Sequence, residues 1–320
     1  MIEIDGGEGE GGGQVIRTAM ALSSITKTPI RISNIRAKRP KPGLRMQHLT
    51  AVRAVRNICR GTLEGAELGS SELIFHPGEI VGGRYDFNIG TAGSVTLVAQ
   101  TLIPILLFAE KKSEISIIGG THVIKSPSSD YFEKVFLPAI NNMGVHIECS
   151  TVKAGYYPQG DGELRVTLSP SKIFGAGEWH SDDTVRVLIR LSNIPKDVGI
   201  REKKIFVQNN IENVRIFEEK CLDPGNALLA WRGFNGAYVL GEKGKRAEVV
   251  AQEALNQLNA EKYDVDKHLA DQLLLYAALA EGATSFKTSE ITEHFRTNLS
   301  VISKFVKRKI DLDGNTVSVE

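Results

Sequence analysis

The chain is poor in the residues that define several common classes of protein. It has only three cysteines, Cys59, Cys149 and Cys221, and they are far apart. An odd, scattered set argues against a disulfide framework and a zinc knuckle, and it fits a reducing compartment. The longest apolar run, around 102–109, is too short to span a bilayer, and acidic residues interrupt the N-terminus where a signal peptide would be apolar. We expect a cytoplasmic protein with no membrane partner.

The chain also lacks a net charge that would attract polyanions. Its 39 basic and 38 acidic residues leave a net charge of +1, so a nucleic-acid site must be a local cluster. Basic residues do cluster between 31 and 60, and they are Arg31, Arg36, Lys38, Arg39, Lys41, Arg45, Arg53, Arg56 and Arg60. With 320 residues, 42% of them hydrophobic, the chain can bury a substantial core in one large domain or two.

A pattern of turn, helix, strand, loop, helix and paired strands occurs three times. The first copy predicts helices at 14–26 and 44–59, a strand at 30–35 and a hairpin at 62–76. The second follows the turn at 90–94, with helices through 100–110 and at 130–143 and strands at 114–118, 145–152 and 163–169. The third predicts helices at 268–281 and 298–307, and strands at 284–288 and within 309–319. These predictions rest on apolar spacing and β-branched runs.

The predicted fold class is α/β (α+β). Three repeats of a helix pair on a mostly four-stranded sheet would pack with pseudo-threefold symmetry, helices inward. Residues 177–260 do not fit the repeat and have their own predicted strands, at 185–191, 227–231 and 237–240, and a helix at 246–258. We interpret them as a small inserted α/β domain, since a structureless loop of that length would be unusual. The large catalytic domain would then comprise residues 1–176 and 261–320.

The opening Gly7-Glu8-Gly9-Glu10-Gly11-Gly12 matches the dinucleotide fingerprint G-x-G-x-x-G. Two carboxylates in the turn would repel a pyrophosphate, and basic residues stand where a ribose-binding acid belongs, so we reject that function. No Gly-Lys-Ser/Thr follows, which excludes a Walker A loop. Carboxylates beside a phosphate site make sense if a divalent cation bridges them, so Glu10 is a candidate Mg²⁺ or Mn²⁺ ligand. The alternative is a structural turn whose acids favour a helix N-terminus.

Two further segments carry candidate chemistry. The loop from Arg36 to Gly43 concentrates cations between two prolines, and a rigid cationic loop suits phosphate binding, although a solvated loop is the plainer alternative. His294 is predicted to lie in a loop between a strand and a helix, where an imidazole nitrogen could form a phosphoramidate; a lone histidine is more often structural or merely exposed. Polar residues near the starts of the first helices could face a shared cleft or solvent, and they are Gln14, Arg17, Gln100, Asp271 and Gln272.

These motifs together resemble the RNA 3′-terminal phosphate cyclase family over essentially the whole chain. The matching segments are 5–17, 35–44, 47–52, Gly90-Thr91-Ala92-Gly93-Ser94, 241–243, His268-Leu269-Ala270-Asp271-Gln272 and His294-Phe295-Arg296-Thr297-Asn298. The resemblance implies that a histidine attacks the α-phosphorus of ATP and forms a histidine-adenylate. The adenylate passes to an RNA 3′-phosphate, and the 2′-hydroxyl then displaces AMP to close a 2′,3′-cyclic phosphate.

The resemblance also implies roles for individual residues. The nucleophile falls on His294 and the metal contact on Glu10. The phosphates and the RNA end would be bound by Arg17, Arg36, Arg39 and Gln47. The ATP-binding positions fall on Gln100, Pro127, Tyr131, His268, Asp271 and Gln272. Some relatives have tyrosine where this chain has His268, and Tyr131 replaces a phenylalanine, so its hydroxyl would need a partner if buried.

Three alternatives remain open from the sequence. A non-catalytic relative acting in ribosomal RNA processing would keep the fold but lack the histidine. An enolpyruvyl transferase would share the helix-sheet repeat but needs two threefold domains. A plain RNA-binding module would have clustered stacking aromatics, which are sparse here. The sequence leaves the physiological RNA, the preferred metal and nucleotide, the role of the insert and any oligomeric state undetermined.

Overall fold

A computed structural model describes residues 1–179 and 182–320. The strands are β1 (Ile2–Asp5), β2 (Ile30–Ser33), β3 (Thr62–Glu64), β4 (Leu73–His76), β5 (Arg84–Asn88), β6 (Ser113–Gly119), β7 (Ile147–Lys153), β8 (Gly162–Leu168), β9 (Arg186–Ser192), β10 (Val214–Glu219), β11 (Gly225–Arg232), β12 (Asn235–Leu240), β13 (Thr284–Lys287), β14 (Ile310–Asp313) and β15 (Thr316–Val319). The helices are α1 (Gly13–Thr26), α2 (Met46–Cys59), α3 (Val95–Leu106), α4 (Ser129–Tyr131), which continues through a π-helical turn (Phe132–Phe136) into α5 (Leu137–Asn141), α6 (Lys196–Gln208), α7 (Ala247–Ala260), α8 (Lys267–Leu279) and α9 (Glu293–Ser303).

The first two sheets share one topology. Their strand orders are β1-β2-β4-β3 and β5-β6-β8-β7. In each, the first two strands are parallel and the other neighbours antiparallel. A helix connects each parallel pair, as parallel strands require, and a second helix follows. The mixed α/β architecture therefore repeats at the level of strand order and direction.

The third sheet has three antiparallel strands in the order β13-β15-β14. Along the free edge of β13, Phe174 and Val265 each form a parallel bridge, to Glu281 and Thr288 respectively. The chain thus leaves this edge before the fourth sheet and returns to it afterwards.

The fourth sheet, β10-β9-β11-β12, has a different order and its own core. Side chains of this sheet, such as Ile189 and Leu228, pack against Phe206 of α6 and against Val250 and Leu255 of α7 in a cluster separate from the main core. Apolar residues at these positions remove both helices and one sheet face from water.

Helices from the other three sheets meet in the main core. Helix α1 contacts α2, α3 and α9, and α8 contacts α9. Buried residues on α1 include Ile16, Ala19, Met20 and Leu22, so this helix lies inside the bundle. A helix that is apolar on most faces is expected in such a place. The polar residues near its start are therefore brought beside the starts of α8 and α9.

Most of the predicted elements are confirmed within a few residues, but three elements were not predicted and one predicted helix start is wrong. The sequence patterns missed β5, α6 and β10. Helix α9 was predicted to begin at Asn298 and begins at Glu293. Thr292 caps it, because its hydroxyl accepts a hydrogen bond from the Phe295 amide at 3.0 Å. His294 consequently lies in the first turn of a helix, and its predicted loop position is wrong.

The sequence predicted neither a disulfide framework nor a membrane-spanning segment, and the described residues bear on both points. Cys59, Cys149 and Cys221 all lie in the described residues and are free thiols. Within residues 1–179 and 182–320, no helix is long and apolar enough to cross a membrane.

Candidate functional site

The glycine turn after β1 presses against the start of α9. Gly9 and Gly11 have φ values of 57° and 55°, in the left-handed region that favours glycine. A Cβ on Gly9 would lie 2.1 Å from the Thr297 hydroxyl oxygen, so the close approach itself requires glycine. The backbone amide of Glu10 donates to that hydroxyl at 3.3 Å. The turn thereby holds Glu10 beside α9.

His294 contacts polar groups through both ring nitrogens. Its Nδ1 lies 2.9 Å from the side-chain oxygen of Gln14, at the start of α1. Its Nε2 lies 2.9 Å from Glu10 Oε2, and Arg39 Nη2 lies 2.7 Å from the same carboxylate oxygen. The imidazole is 43% exposed, so these contacts orient it without covering it.

The surroundings of His294 lower its pKa, although not every neighbour acts in that direction. Burial is the largest influence and lowers its pKa; Glu10 acts in the opposite direction, and Arg17 and Arg39 lower the pKa further. The Gln14 oxygen and the Glu10 carboxylate can both only accept, so with both contacts made each ring nitrogen presents a proton, and Nε2 gains a free lone pair only when its proton leaves. A lone pair facing the Glu10 carboxylate is repulsive until a cation or a proton lies between them.

The predicted phosphate-binding arginines differ in how far they are engaged. Arg17 is half-buried, and burial lowers its pKa to about 10. In the described chain no carboxylate lies within 4.0 Å of its guanidinium, which leaves that cation available for an anion. Arg36 donates at 2.8 Å to the carbonyls of both Lys41 and Gly43, so part of its guanidinium holds its own loop.

Gln47 is also partly engaged, since its side-chain oxygen accepts from the Ser94 amide at 2.7 Å. This bond ties the start of α2 to the turn before α3. The arginine loop, α2 and the second repeat are thereby held together at the edge of the site.

A small cavity of about 60 Å³ lies where α1, α3, α8 and α9 meet. Its lining includes the polar residues Gln14, Arg17, Gln100, Asp271, Gln272 and Asn298, together with apolar side chains such as Phe136 and Leu275. The Gln100 amide donates to the Gln272 oxygen. Ligand pockets usually measure roughly 300 Å³ or more, so this cavity has room for a part of a nucleotide only.

Asp271 is a buried carboxyl at the floor of this cavity. Burial raises its pKa to about 8, and the nearby carboxylates of Asp266, Glu10 and Glu290 act in the same direction. The Thr292 hydroxyl donates to Asp271 Oδ1 at 2.6 Å. At neutral pH Asp271 is therefore mostly protonated and adds little negative charge beside Arg17.

Three of the expected ATP-binding positions, Tyr131, His268 and Pro127, are not equally accessible. Tyr131 is only 4% exposed, and its hydroxyl donates to the two oxygens of Asp266 at 2.9 and 2.8 Å. Asp266 caps α8 by accepting from the His268 and Leu269 amides at 2.9 Å each. The His268 side chain is exposed. The Pro127 carbonyl accepts from the Thr96 hydroxyl at 2.7 Å.

The structure thus brings Glu10, Arg39 and His294 into direct contact. The adjoining cavity is lined by Arg17, Gln100, Asp271 and Gln272. Four more of the predicted residues form hydrogen bonds with neighbouring loops and helix ends, and they are Arg36, Gln47, Pro127 and Tyr131. Sequence reasoning missed three supporting groups: Gln14 as the partner of His294, and the caps Thr292 and Asp266. A Thr or Asp directly before an apolar-periodic run was the available signal for both caps.

A metal site built by the protein alone is not found. Among residues 1–179 and 182–320, no three His, Cys, Asp or Glu side chains are grouped so as to hold a metal ion. A single carboxylate is nevertheless enough for Mg²⁺ when substrate phosphates and water complete its octahedron. Glu10 fits that role and does not fit a closed protein cage.

Comparisons with known proteins agree on one family. The family model for "RNA 3′-terminal phosphate cyclase" matches residues 8–312. A relative of that name from Archaeoglobus fulgidus is 43% identical and covers 100% of both chains. Others from Sulfurisphaera tokodaii and Pyrococcus abyssi are 40% and 39% identical, each covering 98% of this chain and 96% of its own.

One solved structure, the enolpyruvyl transferase NikO from Streptomyces tendae, matches with a TM-score of 0.43 at 8% identity. The match covers 100% of this chain and 48% of that one. A likeness at that score carries no argument.

Proposed function

Since this chain belongs to the RNA 3′-terminal phosphate cyclase family, we propose that it uses ATP to convert an RNA 3′-phosphate into a 2′,3′-cyclic phosphate. The observation that carries the proposal is the pair of contacts at His294. Gln14 would accept the Nδ1 proton and orient the ring, and Nε2, beside Glu10 and Arg39, would be the nucleophilic nitrogen once its own proton has left. An oriented, neutral imidazole is the arrangement that nucleophilic attack requires.

The first proposed step is self-adenylation. Nε2 of His294 attacks the α-phosphorus of ATP, the new N–P bond forms, and the bond to the β-phosphate oxygen breaks to release pyrophosphate. Arg17 and Arg39 would stabilise the negative charge that develops on the phosphates. Glu10 would hold a Mg²⁺ or Mn²⁺ ion together with those phosphates, and a bound cation supplies further charge neutralisation.

We assign the nucleoside end of ATP to the neighbourhood of α8. His268 offers an exposed ring, Gln100, Asp271 and Gln272 line the nearby cavity, and Pro127 would complete the nucleoside site. The buried Tyr131 would support this region through Asp266, since its own ring is only 4% exposed. The departure from phenylalanine at this position is accommodated, because the added hydroxyl has a partner.

The second and third proposed steps involve the RNA end. An oxygen of the RNA 3′-phosphate attacks the adenylate phosphorus, the N–P bond breaks, and His294 is regenerated. The 2′-hydroxyl then attacks the activated 3′-phosphorus and AMP leaves. Proximity contributes most to ring closure, since both groups belong to one ribose. Arg36 and Gln47, on the loop and helix beside the glycine turn, would bind this RNA end.

We also propose the domain arrangement that the repeated topology suggests. Residues 1–176 and 261–320 would form a catalytic domain of three helix-sheet repeats related by pseudo-threefold symmetry. Residues 177–260 would form a small inserted α/β domain. The support is the identical topology of the first two sheets, the departure and return of the chain at the β13 edge, and the separate core of the fourth sheet.

Labelling with α-³²P-ATP and a divalent cation, without RNA, tests the proposal. An acid-labile, alkali-stable label on the protein is expected in the wild type and in His146→Ala, an exposed histidine outside the site, and no label in His294→Ala. A labelled His294→Ala would reject the nucleophile. A folded wild type that stays unlabelled with several metals and nucleotides would favour a non-catalytic role in ribosomal RNA processing.

A further inference from the structure

An exposed stripe of arginines runs along α2, from an N-terminal end near the candidate active site to a C-terminal end farther from it. Arg53, Arg56 and Arg60 are exposed, as is Arg45 directly before the helix. At 100° per residue these four positions fall within about 80° of one another around the helix axis. Buried residues of α2 such as Ala54 and Ile58 occupy the opposite side. The arginines therefore share one solvent-facing surface, which we call the α2 stripe.

The α2 stripe is cationic and forms no close ion pair in the described residues, although Glu110 is near enough to interact with Arg60. In the described residues, none of its four guanidinium groups lies within 4.0 Å of a carboxylate, although many exposed arginines elsewhere are paired in this way. Arg53 donates to the Ala66 carbonyl at 3.0 Å and Arg56 to the Asn57 side chain at 3.2 Å, so each keeps further N–H groups free. A row of unpaired arginines in a chain of net charge +1 is suited to an anionic partner.

The stripe is continuous with the arginines of the candidate site. Burial, followed by Arg17, Arg36 and Arg45, lowers the pKa of His48 on α2 to about 3. Arg45 thus lies beside the residues expected to bind the RNA end. His48 is also close to the glycine turn, because a Cβ on Gly13 would lie 2.3 Å from its Nε2. The N-terminal end of α2 is at the site, and its C-terminal end leads away from it.

We propose that the α2 stripe binds the sugar-phosphate backbone of the single-stranded RNA that precedes the 3′ end. From Arg45 to Arg60 the helix extends about 22 Å at 1.5 Å per residue. That length spans about six phosphates of a stacked strand at roughly 3.4 Å per nucleotide. Phosphate contacts carry no base readout, so binding is independent of sequence upstream of the end. This inference rests on the proposed function, in that an RNA end occupies the site.

The test compares two charge reversals of equal size. Arg53→Glu/Arg56→Glu removes the middle of the α2 stripe, and Lys203→Glu/Lys204→Glu makes the same change on exposed residues of α6. Binding of a 3′-phosphorylated decamer and trimer of RNA is measured by fluorescence anisotropy at several salt concentrations. We expect the stripe variant to bind the decamer about tenfold more weakly, as loss of two exposed charge-assisted contacts implies, and the trimer unchanged. Its log–log salt slope should decrease by roughly 0.7 per lost phosphate contact.

Several results would overturn the proposal. The stripe variant could bind the decamer as tightly as the wild type does. The α6 control could lose as much decamer affinity as the stripe variant, or the stripe variant could lose as much affinity for the trimer as for the decamer. Self-adenylation in the same preparations tests the fold and the proposed chemistry separately, since it needs no RNA. If the wild type binds the decamer through the α2 stripe but is never labelled by ATP, the histidine-adenylate proposal is rejected and the proposal of RNA binding by the α2 stripe stands. If charge reversal impairs folding, Arg53→Gln/Arg56→Gln carries the same comparison.

Discussion

Nε2 of His294 lies 2.9 Å from Oε2 of Glu10, and the same oxygen forms an ion pair with Nη2 of Arg39 at 2.7 Å. A single carboxylate thus faces both the candidate nucleophile and a cation. The pKa of His294 is lowered by burial, while Glu10 raises it. The charge on Glu10 therefore influences the pKa of the candidate nucleophile. In the proposed reaction the same charge also helps to bind the metal ion.

Glu10→Gln should lower the pKa of His294 further, because it removes the group that raises it. An NMR titration of the imidazole in metal-free protein measures this directly. The same variant should need more Mg²⁺ for self-adenylation and label at least about tenfold more slowly. Glu8→Gln is the matched control, since Glu8 is in the same turn but accepts a hydrogen bond from the Ser300 hydroxyl at 2.5 Å. A His294 pKa that rises in Glu10→Gln would contradict this electrostatic assignment.

Gln14→Leu should slow self-adenylation about tenfold, the effect of losing one orienting hydrogen bond of about 1.4 kcal/mol. Leucine has no acceptor for the Nδ1 proton, so the ring is free to rotate and to change tautomer. Gln14→Glu retains an acceptor and should restore labelling. Rates of label incorporation at saturating ATP decide the matter. Equal rates for the leucine and glutamate variants would mean that Gln14 does not position the imidazole.

The sequence predicted elements with strong periodicity well, and it failed where the signal was local or weak. Helix α1 could be predicted because its apolar residues recur through 14–26, and it is observed at Gly13–Thr26. Strand β5 alternates exposed and half-buried positions, so it has no apolar signature. Helix α6 was missed because only Gly199, Glu202 and Phe206 are buried along its length. Two of these three buried positions are a glycine and a glutamate, so the side of α6 that faces the core carries little apolar signal in the sequence.

The candidate site could be predicted as a set of residue types but not as a geometry. Glu10 and His294 are 284 positions apart, and only the packing of α1 against α9 brings them within hydrogen-bond distance. The burial of Tyr131 was equally hidden, because its partner Asp266 is 135 residues away. Long-range contacts of this kind depend on the assembled core, which no local pattern encodes.

Asp271→Asn should make the protein progressively more stable than the wild type as pH rises from about 4 to 8. The pKa of Asp271 is raised to about 8 in the folded state, so the unfolded chain loses this proton first. Folding stability then falls with rising pH, by at most about 1.4 kcal/mol per pH unit. Asparagine does not titrate, so the variant lacks this contribution to the pH dependence of folding stability. Thermal melts of both proteins between pH 4 and 9 should diverge up to about pH 8 and run parallel above it; a constant difference would refute the raised pKa.

Tyr131→Phe should destabilise the fold by about 1–3 kcal/mol, because it removes a hydroxyl that donates to the buried carboxylate of Asp266. The pKa of Asp266 is already raised to about 6 by burial, and losing a donor would raise it further. Tyr276→Phe is the matched control, since its buried hydroxyl has no hydrogen-bond partner in the described chain. Urea unfolding at pH 7 should separate the two, with the control neutral or more stable. Equal losses would mean that the bond to Asp266 contributes nothing to stability, and that Tyr131 supports α8 through its ring alone.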